Sequence, residues 1–252
     1  MTKKLLKFIT VALFWLAVWH ILSLIAGKEV LLPSPIVTFK TLFSLMGTGS
    51  FWVFCGASVL RIIIGLASGI AAGVILAVLS CKSSLFQSLV SPLLSVIRAT
   101  PVASFIILAL VWIGKGNVPS FTAFLMVLPV VWSAVSVGIE SIDRGLSEMV
   151  SVFRFSFVKK LFHLYIPSVL PSFFAGVGTG MGLAWKAGIA AEVICNPRYG
   201  IGSALYDSKV YLNTAELFAW TAAVVIISMS LEALLKHFSK KFTRGGGLKN
   251  EG

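Results

Sequence analysis

Charge is what this sequence lacks most. Aspartate and glutamate number 9 and lysine and arginine 21, together 12% of its 252 residues, where soluble domains carry about 25%. Hydrophobic residues make up 58%, and the mean hydropathy is +0.97. So little polar surface excludes a water-soluble particle and leaves a polytopic membrane protein. Cysteine and histidine are also sparse. Cys55, Cys81 and Cys195 show no C-x-x-C spacing and read as small packing residues, not a metal or redox site. His20, His163 and His237 are far apart, so no H-E-x-x-H cluster exists and no catalytic or metal-ligating residue is nominated. No G-x-x-x-x-G-K-[ST] loop occurs, so any nucleotide site belongs to another chain. The net charge of +12 raises nucleic acid as a partner. The basic residues sit in short loops and at the tails, which is a membrane-topology pattern instead.

About 20 apolar residues cross a bilayer as a helix. Six segments qualify: 5–26, 54–80, 84–113, 119–139, 168–195 and 213–236. The first follows Lys3, Lys4 and Lys7, exceeds a signal-peptide core and lacks a small-x-small cleavage site, so it reads as a retained span. Pro101 lies inside the third and should kink or split it. With the N-terminus inside, one side collects Lys3, Lys4, Lys7, Lys82, Arg144, Arg154, Lys159, Lys160, Lys236, Lys240, Lys241, Arg244 and Lys249, and the other Lys28, Lys40, Lys115, Arg198 and Lys209. That count, 13 against 5, places both termini and the 140–167 loop in the cytoplasm of a cell-membrane protein. The expected organisation is a first helix over 1–30, an external elbow and interfacial segment over 31–53, a core over 54–240 and a flexible tail over 241–252.

Outside the membrane, LLPSPIVTF (31–39) leaves the first helix as an extended elbow and opens a short interfacial stretch over 36–47. The loop 196–213 is the longest external one; it reads either as a contact for an external partner or as a plain connector. Gly65, Gly69 and Gly73 repeat at four-residue spacing, as do Gly176/Gly180 and Gly178/Gly182. Such spacing lets helix backbones approach closely, within the chain or at a subunit interface.

Arg61, Arg98, Lys186 and Glu192 fall within or at the ends of spans, where charges face a cavity or a partner. Arg61, near an outer end, reads as a snorkelling side chain. Lys186 and Glu192, six residues apart, are separated by about 240° around a helix and do not pair with each other along one face. Arg98 precedes Thr100 and Pro101, where a break exposes carbonyls that only protein or a cavity tolerates at depth. Two readings stay open: a cationic translocation pathway, or an inter-helix salt bridge of Arg98 or Lys186 with Glu192.

The polar island EMVSVFRFSFVKKLFHLYIP (148–167) is too long for a turn and too basic and aromatic for an inert linker. Ser156 is placed to cap a short helix over 157–165. That helix would present Phe157, Leu161, Phe162 and Leu164 among Lys159, Lys160 and His163, a face suited to a partner's groove. Alternatively the aromatics lie on the membrane interface.

The spacing from Glu148 to Pro167 resembles the EAA loop of permease subunits in binding-protein-dependent ABC importers. Glu148 matches the acid, Leu164 and Ile166 stand for the Ile and Leu, and Pro167 matches the proline. Met149 and Val150 replace the two alanines, and Arg154 replaces the glycine. LLPSP, SPLLSVIRATPVASFIILALVWIGKG (91–116) and AWKAGIAAEVI (184–194), which carries Trp185, Lys186 and Glu192, are similar to the nitrate, sulfonate and taurine branch. The resemblance implies an all-α membrane protein of about six transmembrane helices with the methionine-importer-like permease fold. It implies a permease homodimer, a dimer of ABC ATPase subunits that hold ATP and Mg, and an extracellular or periplasmic solute-binding protein. Glu148, Arg154, Ser156, Phe157, Lys159, Lys160, Leu161, Phe162 and Pro167 would couple to the ATPase. Arg98, Thr100, Pro101, Trp185, Lys186 and Glu192 would line the pathway. The branch points to a small anion such as sulfonate, taurine, nitrate or bicarbonate, with a thiamine-related pyrimidine as an alternative. A secondary transporter or channel working without an ATPase is a second alternative, but no clear internal repeat supports it. Arginine at 154 departs from the family pattern, where glycine would permit positive φ between two short helices.

Overall fold

A computed structural model describes residues 2–153 and 155–245. Every regular element among them is helical. In chain order these are α1 (Thr2–Ala26), α2 (Pro35–Met46), α3 (Gly49–Lys82), α4 (Ser84–Ala99), α5 (Val102–Trp112), α6 (Val118–Glu140), α7 (Arg144–Val152), α8 (Phe157–Lys160), a π-helical turn (Leu161–Tyr165), α9 (Ile166–Cys195), α10 (Ile201–Val210) and α11 (Thr214–Gly245). The apolar segments become helices because a chain in hydrocarbon must satisfy its backbone groups internally. Two compact units emerge: Met1–Ser58 with Asn196–Ile227, and Val59–Cys195 with Ser228–Gly252.

In the first unit the proline elbow is tied to α1. Trp19 Nε1 donates to the Pro33 carbonyl at 3.1 Å and Ser23 Oγ to the Leu32 carbonyl at 2.8 Å. Gly27, at φ 64°, ends α1 in the left-handed conformation that glycine adopts without strain. The interfacial stretch is helical: Ser34 Oγ accepts the Val37 N–H and Pro35 occupies the first turn of α2. The expected external loop 196–213 is not irregular; ten of its residues form α10. That helix is anchored where the Ile201 N–H donates to the buried Ser58 Oγ at 2.8 Å. Trp220 stacks on Phe51 and Phe54, with centroids 5.0 and 6.0 Å away.

In the second unit α6 is the central helix; half of its residues are buried. Two glycine faces pack on it. A Cβ added to Gly65 would collide with the Ser120 carbonyl; one on Gly69 would lie 2.8 Å from Val127 Cβ, and one on Gly73 3.0 Å from the Leu128 carbonyl. Gly176 meets Ala134 and Gly180 meets Val127. Gly178 and Gly182, about 200° around the helix from that pair, do not face α6: a Cβ on Gly178 would meet Leu235, and one on Gly182 would meet nothing within 4 Å.

Pro101 splits the third segment as expected. α4 and α5 meet at 106°. Thr100 takes the extended conformation that a following proline favours (φ −80°, ψ 131°). The pair still joins opposite ends of the bundle. Ile106 and Ala109 of α5 cluster with Val118 at the start of α6 and with Cys195 at the end of α9. α4, by contrast, starts next to Lys82, which shares a cavity with Ile139 near the end of α6 and Ile166 at the start of α9. Counted as one broken span, the pair brings the apolar crossings to six. This is a multi-pass integral membrane architecture.

Candidate coupling and pathway sites

The polar island folds as α7, a connector and α8. Asp143 Oδ1 accepts the Leu146 N–H at 3.0 Å and so caps α7, a signal the sequence reading passed over. At the other end of α7 the Phe155 N–H reaches the Val150 carbonyl at 3.2 Å, a six-to-one bond of the Schellman kind. Arg154 lies outside the described residues, as does the side chain of Phe157. α8 begins after Ser156, as expected, and the Lys160 N–H donates to the Ser156 carbonyl at 2.9 Å.

The expected end of this helix is corrected. The 157–165 segment does not stop before Pro167; it runs through the π turn into α9, giving one apolar helical stretch over Val158–Cys195. Proline cannot donate to the ladder and its ring crowds the carbonyl four residues back. The turn just before it is wide, with the Ile166 N–H bonded five residues back to the Leu161 carbonyl. No loop separates 157–165 from the membrane span.

The segment presents a partly apolar outer face. Val150 and Leu164 are buried, whereas Met149, Val152, Phe153, Val158 and Phe162 are exposed. Glu148, Ser156 and Lys159 are exposed beside them; Lys160, Leu161 and Pro167 are half-buried.

Within the membrane the charges separate into three places. Arg61 does not snorkel: its Nη1 lies 2.9 Å from Glu192 Oε1, and the Glu192 side chain is fully buried. A buried carboxylate needs a cationic partner more than an outer-end arginine needs water. An inter-helix ion pair therefore exists, with Arg61 in place of the expected Arg98 or Lys186. Gly188, one turn before Glu192, lets α3 approach; a Cβ there would sit 2.6 Å from Ile62. Arg98 lies exposed on α4, donates from Nη2 to the Pro129 carbonyl at 2.6 Å and sits 5.9 Å from the Trp132 ring centroid. Thr100 Oγ1 bonds the Val96 carbonyl at 2.8 Å beside the Pro101 break. Lys186 is exposed in a separate cavity of about 400 Å³, with Gly178, the open Gly182, and Glu232 and Lys236 of α11. Trp185, its neighbour, is buried. Trp132 and Glu232 were not singled out in the sequence; Lys236, counted there only among the loop charges, lies one turn from Glu232 on α11. No cluster of metal-ligating side chains occurs among the described residues.

The sequence model for the binding-protein-dependent transport system inner membrane component matches residues 69–244. The chain belongs to this family. Among its relatives, the putative aliphatic sulfonates transport permease protein SsuC of Escherichia coli (strain K12) is 33% identical over 87% of this chain and 81% of its own length. The taurine transport system permease protein TauC of the same strain is 24% identical over 93% of this chain and 87% of its own. A chain of the MetNI methionine ABC transporter, in an inward-facing conformation, superposes with a TM-score of 0.57 at 16% identity, covering 78% of this chain and 94% of that one. The helical arrangement of this permease is thus the expected methionine-importer-like fold, and the chain is a transport component of the ABC permease family, not an enzyme.

Proposed function

We propose that this chain is the membrane-spanning subunit of an ATP-driven importer for a small anion of the sulfonate or taurine class. A separate ATPase binds ATP and Mg and docks against 144–165. The observation that carries the reading is the exposed face of Glu148, Met149, Phe153 and Phe162, the last of them on the helical stretch Val158–Cys195 that runs on into α9. Closure of an ATPase dimer would displace that face, and the uninterrupted helix would pass the displacement into the bilayer. The positive-inside count supports placing this segment and both termini in the cytoplasm.

Two copies form the pathway. The bare face of α9 at Gly182 suits close approach of a second α9. Lys186, four residues further along that face, would then line the seam and attract an anion delivered by an external binding protein. The similarity to the sulfonate and taurine permeases supports this substrate class.

Co-purification of the tagged chain with ATPases from the same source tests the coupling. One ATPase should be retained by the wild type and lost with Glu148→Lys. Retention by both proteins removes Glu148 from the docking surface. Solute movement by the chain alone in liposomes, with no ATPase bound, overturns the importer reading.

A further inference from the structure

A cavity of about 570 Å³ opens between α3, α6 and the start of α9, at the end of the bundle where the polar island enters. Its walls are apolar: Val78 of α3, Val135 and Ile139 of α6, and Val169, Leu170 and Phe173 of α9. Lys82, Lys160 and Tyr165 also line it. The lysines occupy its outer end, since Lys82 closes α3 and Lys160 closes α8. From Lys82 back to Val74, another lining residue, α3 rises about 12 Å at 1.5 Å per residue. The cavity is therefore a slot running down from a basic rim into the hydrocarbon layer.

The lysines at the rim outnumber the one described carboxylate near it, Glu140, which acts on Cys81. Among the described residues neither Lys82 nor Lys160 has a carboxylate at ion-pairing distance. Glu140, next to the lining residue Ile139, is exposed and not part of the lining. The slot is accessible from the surroundings of the chain, since Val78 is 38% and Tyr165 37% exposed. An apolar slot in a membrane-spanning bundle, capped by two cations at headgroup level, matches a molecule that is apolar along its length and anionic at one end. We propose that it holds one acyl chain of an anionic phospholipid, with the phosphate between Lys82 and Lys160. Lys160 borders the π turn, so the lipid would contact the segment that joins the polar island to α9.

The test uses the purified full-length chain in detergent with dioleoyl phosphatidylglycerol or dioleoyl phosphatidylcholine, and counts retained lipids by native mass spectrometry. The wild type should retain the anionic lipid roughly thirtyfold more strongly, as expected for two lysines at a headgroup. The double variant Lys82→Gln/Lys160→Gln should lose that preference, and Leu170→Trp, which fills the slot, should reduce retention of both lipids. Cys81 supplies a readout that needs no substitution: it lines the cavity and is exposed, whereas Cys55 and Cys195 are buried. The anionic lipid should slow maleimide labelling of Cys81 at a lower mole fraction than the zwitterionic one. Equal retention of both lipids, a preference that survives the double variant, or unchanged Cys81 labelling overturns the proposal. Displacement of the lipid by inorganic phosphate alone also overturns it, because the acyl chain would then contribute nothing.

Discussion

Arg61 and Glu192, 131 residues apart in sequence, meet at 2.9 Å between α3 and α9. The contact forms where Gly188 removes the side chain that would hold the two helices apart. Glu192 is fully buried and Arg61 one-fifth exposed, so the pair joins the helices from inside the unit.

Removing one partner takes the ion pair away from the other. Arg61→Gln leaves a buried carboxylate and should destabilise the chain by about 3–5 kcal/mol, the usual result of breaking a buried pair. The double variant Arg61→Met/Glu192→Leu should recover most of that loss, because apolar replacements of similar volume remove the desolvation cost as well. Thermal unfolding in detergent distinguishes the two. Equal losses in the single and double variants would show that the ion pair itself holds the helices.

The glycines divide by face. Gly69→Leu should prevent folding or lower the unfolding temperature sharply, because even its Cβ would lie 2.8 Å from Val127. At Gly182 a Cβ meets nothing within 4 Å, so Gly182→Leu should leave the fold of the chain intact. If the bare face is the subunit seam, Gly182→Leu should nonetheless shift the protein from dimer to monomer on gel filtration with light scattering. A dimer that persists places the interface elsewhere.

Phe162 and Leu164 lie two residues apart with opposite exposure, 60% and 6%. Phe162→Asp should abolish ATPase co-purification with little change in the unfolding temperature. Leu164→Asp should lower that temperature, since it buries a carboxylate without a partner. ATPase binding that tolerates Phe162→Asp would place the docking face off this turn.

Lys186→Ala should reduce solute uptake and leave ATPase co-purification unchanged, because Lys186 lies in the cavity with Glu232 and Lys236. Lys186→Arg, which keeps the charge, should restore much of the uptake. Uptake by Lys186→Ala equal to wild type, measured with a labelled sulfonate, would remove this lysine from the pathway.

The apolar segments, the elbow at Pro33 and Pro35, the break at Pro101 and the polar island were legible in the sequence because each is a local signal. Hydrocarbon length, proline geometry and charge density are all read within a few tens of residues. The resemblance of 148–167 and its flanking segments to one importer family came from equally local motifs. The pairing of Arg61 was not legible. A lone arginine near a helix end satisfies the snorkelling reading until a buried acid from a distant helix is placed against it. Nor was the continuity of 157–195: Pro167 normally marks a helix start, and only the wide turn before it carries the ladder past. α10 was hidden by its weakly apolar composition; the buried bond from the Ile201 N–H to Ser58 Oγ helps fix it in place.

The sequence by itself determined that this chain lives in a bilayer, where it is apolar enough to cross and which segment stays polar. All of these follow from composition and short-range pattern. The tertiary structure alone decided which charges are paired and which stay open. It also decided which glycine face packs on α6 and which is bare, and that Lys160 turns to an apolar slot while Lys159 does not. These depend on helices far apart in sequence meeting in a particular register, and in a membrane small residues and single polar contacts set that register.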